Sequence, residues 1–356
     1  MRVLYVCHVN SQEALGGVRA VYRHVDALNG LGIPSAIVHG VPGHRCTWFT
    51  NDTTVLHPDI ELGPGDVLAF PEVFATRLDQ IAPGIPKVII NQNAHYAWHG
   101  VVPTERHPYV TADDLVGVTA ISNHNKQLLE TTFPGLAVHR LSYSLSSPFV
   151  AGPSTRERRV CYMPRKRPQE AIQVLGALTS RGALEGWEVV ALSGMTESQV
   201  AAELRRAALF LSFSELEGFG LPPLEAIASG CSVIGYTGYG ASEYFDPRFT
   251  VEVPDGDILG FIEAADRWLR AWPLDNRLLD VSEAQRYVKE MFSPERERDL
   301  LIDFFQSVDT KISALPAATG VLRREDTVFG RPARASVRAL AQQAVGAARR
   351  SWRPAR

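Results

Sequence analysis

Short apolar runs rich in valine, isoleucine and leucine alternate with helical patterns along the chain, and no other feature constrains the fold as much. Strands buried on both faces read as continuous apolar runs, and a helix between successive strands covers a parallel sheet. In the first half the runs are Arg2–Val9, Ser35–His39, Asp66–Phe70, Lys87–Asn91, Val116–Ser122 and Ala137–Leu141. Between the first two, Gly17–Asn29 sets Val18, Val21, Tyr22, Val25 and Leu28 on one helical face. The pattern pauses at Ser146–Pro153, which contains proline and glycine, and then restarts. The second set is Arg159–Met163, Glu188–Leu192, Ala208–Phe213, Ser232–Tyr236 and Phe249–Val253, followed by helical patterns at Asp257–Ala271, Asn276–Met291 and Pro294–Asp309.

A chain of 356 residues suits two such units. The expected architecture is α/β, with two Rossmann-like domains facing each other across a cleft. Residues 1–147 form the first domain and 148–312 the second, whose last helix is free to return to the first; 313–356 form a basic tail. Doubly wound sheets bind ligands beyond the carboxyl ends of their strands, so the cleft is the expected site.

The densest chemical signal is the run from Phe213 to Gly230, FSELEGFGLPPLEAIASG. It leaves a strand, passes through Gly218 and Gly220, and enters a helix at Pro222 or Pro223, where proline fits the first turn. Glycines let the backbone approach a ligand, and the free amides of a helix start donate to hydroxyls or phosphate. Glu217 and Glu225 bracket this turn. Alone, Glu225 reads as a first-turn carboxylate complementing the helix dipole; the whole run argues for more.

This run resembles that of the retaining nucleotide-sugar glycosyltransferases of family 4, which have the GT-B architecture. The resemblance spans roughly residues 1–310 and is densest from Arg159 to Glu243. It implies that Glu217 meets the transferred sugar and Glu225 the ribose, while the main chain of Gly218, Phe219, Gly220 and Leu221 binds the sugar. It also implies that 1–147 is the acceptor-side domain and 148–312 the nucleotide-sugar-binding domain, and that the Gly16–Gly17 turn faces the diphosphate. In the family an arginine and a lysine a few residues apart neutralise the leaving diphosphate. Here Arg165, Lys166 and Arg167 are contiguous, so which two point inward stays open; Arg165 and Lys166 are assigned to catalysis and Arg167 to the donor.

His95, in the polar and aromatic segment Asn91–Gly100, is the candidate for orienting the transferred sugar, with His99 in reserve. Ser122 reads as the N-cap of the next helix, and Glu243 as bracing its loop. Asp255-Gly-Asp257 matches a metal-binding string of a different glycosyltransferase fold, but its place before a helical pattern makes Asp257 an N-cap. The expectations are therefore no metal and no cofactor, and a nucleotide diphosphate sugar as donor. The acceptor is a glycan, a natural product or a protein, met by variable loops that include Gly40–Leu62. Reaction with retention rests on the resemblance alone.

Met1 leads directly into a buried strand, and no apolar run is long enough to span a membrane, so a soluble cytoplasmic protein is expected. Cys7, Cys46, Cys161 and Cys231 lack CxxC spacing and read as small buried hydrophobes rather than zinc ligands. From Leu315 onward, nine arginines stand against Glu325 and Asp326, although the chain's formal net charge is −3. Within this tail, 334–350 sets small apolar residues on one helical face. That leaves open a protein partner or peripheral contact with the inner membrane face, and ranks nucleic acid lower. Rival readings are a noncatalytic GT-B module, a sugar-nucleotide epimerase and a phosphorylase; a nicotinamide dehydrogenase is disfavoured because the first turn lacks GxGxxG.

Overall fold

A computed structural model describes residues 1–13, 15–101, 105–150, 156–272 and 281–327. The first unit contains β1 (Arg2–Cys7), α1 (Gly16–Gly30), β2 (Ser35–His39), β3 (Val55–Leu56), β4 (Ile60–Leu62), β5 (Asp66–Pro71), β6 (Lys87–Asn91), β7 (Leu115–Ala120), α2 (Asn123–Thr132) and β8 (Val138–Arg140). The second contains α3 (Ser147–Val150), β9 (Glu157–Tyr162), α4 (Pro168–Ser180), β10 (Glu188–Ala191), α5 (Glu197–Arg206), β11 (Ala207–Phe213), α6 (Leu221–Ala228), β12 (Ser232–Tyr236), β13 (Thr250–Glu252) and α7 (Ile258–Ala271). Then come α8 (Val281–Met291), α9 (Pro294–Ile312), β14 (Gly320–Leu322) and α10 (Arg324–Thr327).

Two all-parallel sheets result, in the orders β3-β2-β1-β5-β6-β7-β8 and β10-β9-β11-β12-β13. Both orders reverse direction beside their first strand, which opens a crevice at the carboxyl ends of β1 and β9. The apolar runs supply the reason: β2, β6, β11 and β12 are buried at every residue. Separate apolar cores line the two faces of the first sheet. A third core fills the second unit and also takes in Ala20, Ile121, Tyr143, Leu145 and Phe149.

Helix α9 packs on the first sheet, where Leu301, Phe304, Phe305 and Val308 are fully buried beside Val3 and Tyr5. Gly117 of β7 permits this: a Cβ there would stand 2.9 Å from the Phe304 ring. Ordered chain also continues past residue 312. β14 pairs antiparallel with β4 and buries Leu322 against Leu62, so the stretch before residue 328 is part of the fold rather than of a basic tail. The amphipathic pattern at 334–350 lies outside the described residues, as do the end of the proposed linker and the start of the Asn276–Met291 pattern. Among the described residues, no helix is long and apolar enough to cross a membrane.

Candidate active site

The starts of α1 and α6 face each other across the crevice. Leu15 precedes α1 without a side-chain cap, which leaves amides of the first turn to be met by something else. Gly16 lies against the other unit, since a Cβ there would be 2.6 Å from Leu221 Cδ1. A Cβ on Gly17 would overlap the Gln92 side chain, whose Nε2 donates to the Gly17 carbonyl at 2.9 Å. Opposite, Gly220 caps α6 at φ 81° and ψ 61°, a left-handed conformation that favours glycine, ahead of Pro222 and Pro223 in the first turn. The Tyr244 hydroxyl donates to the Gly220 and Phe219 carbonyls and fixes the turn from below.

The two glutamates have different surroundings. Glu217 is partly exposed, with Lys166 Nζ 3.5 Å from its Oε1 and 3.4 Å from the Glu215 carbonyl. Glu225 is buried, which pushes its carboxyl above the usual range; Arg19 of α1, 3.1 Å away, opposes that rise. Arg19 also pairs with Glu197. Phe219 points its ring into the core against Tyr143 and Phe292, so only its main chain faces the crevice. Of the three contiguous cations, Lys166 reaches Glu217, and Arg165 is exposed and makes no hydrogen bond or ion pair among the described residues. Arg167 instead pairs with Glu170 and Asp255, at 2.9 and 2.6 Å, and lies over the Tyr236 ring. That anchoring occupies its guanidinium with protein groups rather than leaving it for a donor.

His95 lies on the first-unit wall. Its ring neighbours His124 (centroids 5.8 Å) and Tyr239 (6.0 Å), and His124 stacks on Tyr239 at 5.1 Å. Burial, with His124 adding, lowers the His95 pKa, and its buried Nε2 has no hydrogen-bond partner. A neutral imidazole nitrogen is thus held beside the turn that carries Glu217. Tyr239 and Leu216 both take positive φ, 68° and 43°, where the Glu217 amide donates to the Gly238 carbonyl. His99, the reserve, is exposed.

Several residues bind the two walls together. Asn93 Nδ2 donates to the Leu216 carbonyl (2.7 Å) and Asn125 Nδ2 to the Gly218 carbonyl (3.1 Å). Glu243 accepts from the Asn123 amide and pairs with Arg140, bracing α2 against the second unit. Glu72 is buried beneath the 91–93 turn and accepts from the Gln92 amide at 2.9 Å; burial pushes its carboxyl up to about 7. The unusual polar density of 91–99 was the available signal for Gln92 and Asn93. Ser122 does cap α2, accepting from the Asn125 amide, and Asp257 caps α7, accepting from Gly260 at 2.9 Å.

Comparison with known proteins fits this geometry. The family model described as glycosyl transferases group 1 matches residues 182–284, which include the Glu217–Glu225 turn. The chain is 28% identical over 251 residues to an alpha-1,6-glucosyltransferase of Actinobacillus pleuropneumoniae serotype 7, covering 66% of this chain and 73% of that one. Among solved structures it is similar to the pneumococcal O-GlcNAc transferase GtfA in complex with UDP and GlcNAc, with TM-score 0.63 and 9% identity over 88% of this chain and 99% of that chain. It is also similar to S. aureus TarM in complex with UDP, with TM-score 0.55 and 14% identity over 67% of this chain; it spans only 55% of the TarM chain. The fold is GT-B, two Rossmann-like domains, and the family and sequence matches support glycosyltransferase function.

Proposed function

We propose that the protein transfers a sugar from a nucleotide diphosphate sugar to an acceptor hydroxyl with retention of anomeric configuration, as in the family 4 enzymes it resembles. The observation that carries this reading is the pair of helix starts without a side-chain cap, Gly16–Gly17 and Gly220–Leu221, facing one crevice that also holds Glu217, Lys166 and His95. The domain division at about residue 147, with α9 returning to the first domain, belongs to the same proposal.

In this reading the donor diphosphate lies at the start of α1, where main-chain amides and the helix dipole favour an anion. Lys166 supplies a point charge to it, and exposed Arg165 is free to swing in. Glu225 takes the ribose hydroxyls once Arg19 is displaced, exchanging an ion pair for two charge-assisted hydrogen bonds. Glu217 and His95 hold the sugar ring from opposite walls. The bond from the anomeric carbon to the diphosphate oxygen breaks, and the acceptor oxygen bonds to that carbon on the same face. The acceptor proton passes to the departing diphosphate, so no separate protein base is required. The protein contributes orientation, charge stabilisation and exclusion of water, without metal or cofactor.

A UDP-sugar is the first donor to test, because UDP is named with both GtfA and TarM. Calorimetric titration with UDP, GDP, dTDP and ADP sugars tests the donor site. Selective binding that is lost in Glu225→Ala is expected, and NMR of the product should show the donor's anomeric configuration. Failure of all four donors to bind folded protein at millimolar concentration overturns the assignment, and an inverted product overturns retention alone.

A further inference from the structure

β2 ends at His39, and the loop after it folds back to bring His44 and Cys46 beside that residue. One donor atom from each of the three side chains lies within 4.8 Å of the others. The His39 and His44 rings meet edge to face with centroids 4.5 Å apart, and Cys46 Sγ is 4.0 Å from His44 Nε2. Ligand atoms around a tetrahedral ion stand about 3.5 Å apart, given bonds of ~2.0 Å to nitrogen and ~2.3 Å to sulfur. The donor atoms here stand within 4.8 Å of one another, so His44, the least buried of the three, moves inward on binding.

The surroundings separate this cluster from three side chains packed by chance. His39 is fully buried; its Nε2 lies 2.7 Å from the Tyr22 hydroxyl, and its Nδ1 has no hydrogen-bond partner. A metal-bound imidazole has this arrangement, with one nitrogen on the ion and the other donating to an oxygen. Tyr22 also ties the loop to α1, its hydroxyl accepting from the Cys46 amide at 3.2 Å. Outside the cluster, His57 accepts from the Gly43 amide at 3.1 Å, and Gln12 holds the Arg45 carbonyl and Thr47 amide. Both flanks of the loop are thereby anchored.

We propose that His39, His44 and Cys46 bind one transition-metal ion of the zinc class, completed by solvent, which staples the 40–50 loop to the end of β2 and to α1. Two imidazoles and a thiolate select a borderline-soft ion and reject magnesium and calcium, which require oxygen ligands. The thiol proton is released on binding. The site is separate from the Glu217 crevice and takes no part in transfer; it fixes a loop on the first-unit wall. A search for paired cysteines passes over it because the spacing is His-x4-His-x-Cys.

The test uses the full chain, stripped with chelator and titrated with Co2+ as a spectroscopic probe, followed by Zn2+ competition. One Co2+ per chain is expected, with thiolate-to-metal charge transfer and tetrahedral ligand-field bands that Zn2+ abolishes. Cys46→Ser removes the charge-transfer band, His44→Gln weakens binding at least about tenfold, and Cys161→Ser changes neither. A spectrum without thiolate character, or one unchanged in Cys46→Ser, overturns the proposal. Should Cys46→Ser fail to fold, unchanged affinity in His44→Gln overturns it on its own.

Discussion

A Cβ at position 218 would overlap the Gln92 carbonyl on the opposite wall of the crevice. Gly218 is therefore required for close approach between the two units, and its φ is not in the left-handed region. Gly218→Ala should leave both sheets folded but hold the walls apart, at about 1–3 kcal/mol of overpacking. We expect kcat/KM to fall at least tenfold, with an unaltered circular dichroism spectrum; unchanged kinetics would show that the walls need not meet here. Glu72, beneath the same turn, makes a prediction about pH. Its folded pKa of about 7 lies above that of an unfolded carboxyl. Between about pH 4.5 and 7 the folded state holds a proton that the unfolded chain has released, so stability falls as pH rises through this window. Glu72→Gln removes that dependence and should stabilise the protein at pH 8, relative to wild type, by roughly 3 kcal/mol at most. Denaturant melts at pH 5 and pH 8 measure it, and an equal wild-type-to-variant difference at both pH values would contradict the assignment.

Elements were legible where burial is local. The runs at Ser35–His39, Lys87–Asn91 and Ser232–Tyr236 coincide with β2, β6 and β12, because a strand covered on both faces is apolar along its length. β3, β4 and β14 escaped, being short and lying outside the alternation of apolar runs and helices; β14 pairs with β4, far away in sequence. Helix α1 shows what one-face periodicity misses. Val18, Tyr22, Val25 and Leu28 are buried as their spacing implies, yet so are Arg19 and His24 on another face, because the second unit and α9 cover it. The Glu217–Glu225 turn was readable from its glycines and prolines, whereas Arg19 and Asn125 act across the interface and have no local pattern. The Asp255–Asp257 pair was separable by position alone: Asp257 caps α7 and Asp255 holds Arg167. Asp257→Ala should cost about 1 kcal/mol of stability and leave the transfer rate unchanged. A metal-dependent rate that collapses in this variant would reverse that reading.

The contact between the two units is apolar at one end and polar at the other. Tyr143, Leu145 and Phe149 sink into the second unit's core, and the Leu145 amide donates to the Phe292 carbonyl where the chain crosses back. At the mouth the joins are hydrogen bonds and ion pairs: Asn93 to Leu216, Asn125 to Gly218, Glu243 to Asn123 and Arg140, and Arg19 to Glu225. Water can replace the polar set at small cost, whereas exposing the apolar set costs about 25 cal/mol per Å². The molecule should therefore open at the mouth and hinge at residues 143–149, admitting a nucleotide to Glu225 before closing for transfer. Glu243→Ala removes the acceptor of the Asn123 amide and the partner of Arg140 without touching the donor site. In small-angle scattering the free variant should show a larger radius of gyration than wild type. Nucleotide affinity should stay within about threefold, since no donor contact is lost, while the transfer rate falls because closure is disfavoured. Superimposable scattering profiles, together with an unchanged rate, would mean that the apolar end alone holds the units together and that the mouth contributes nothing to closure.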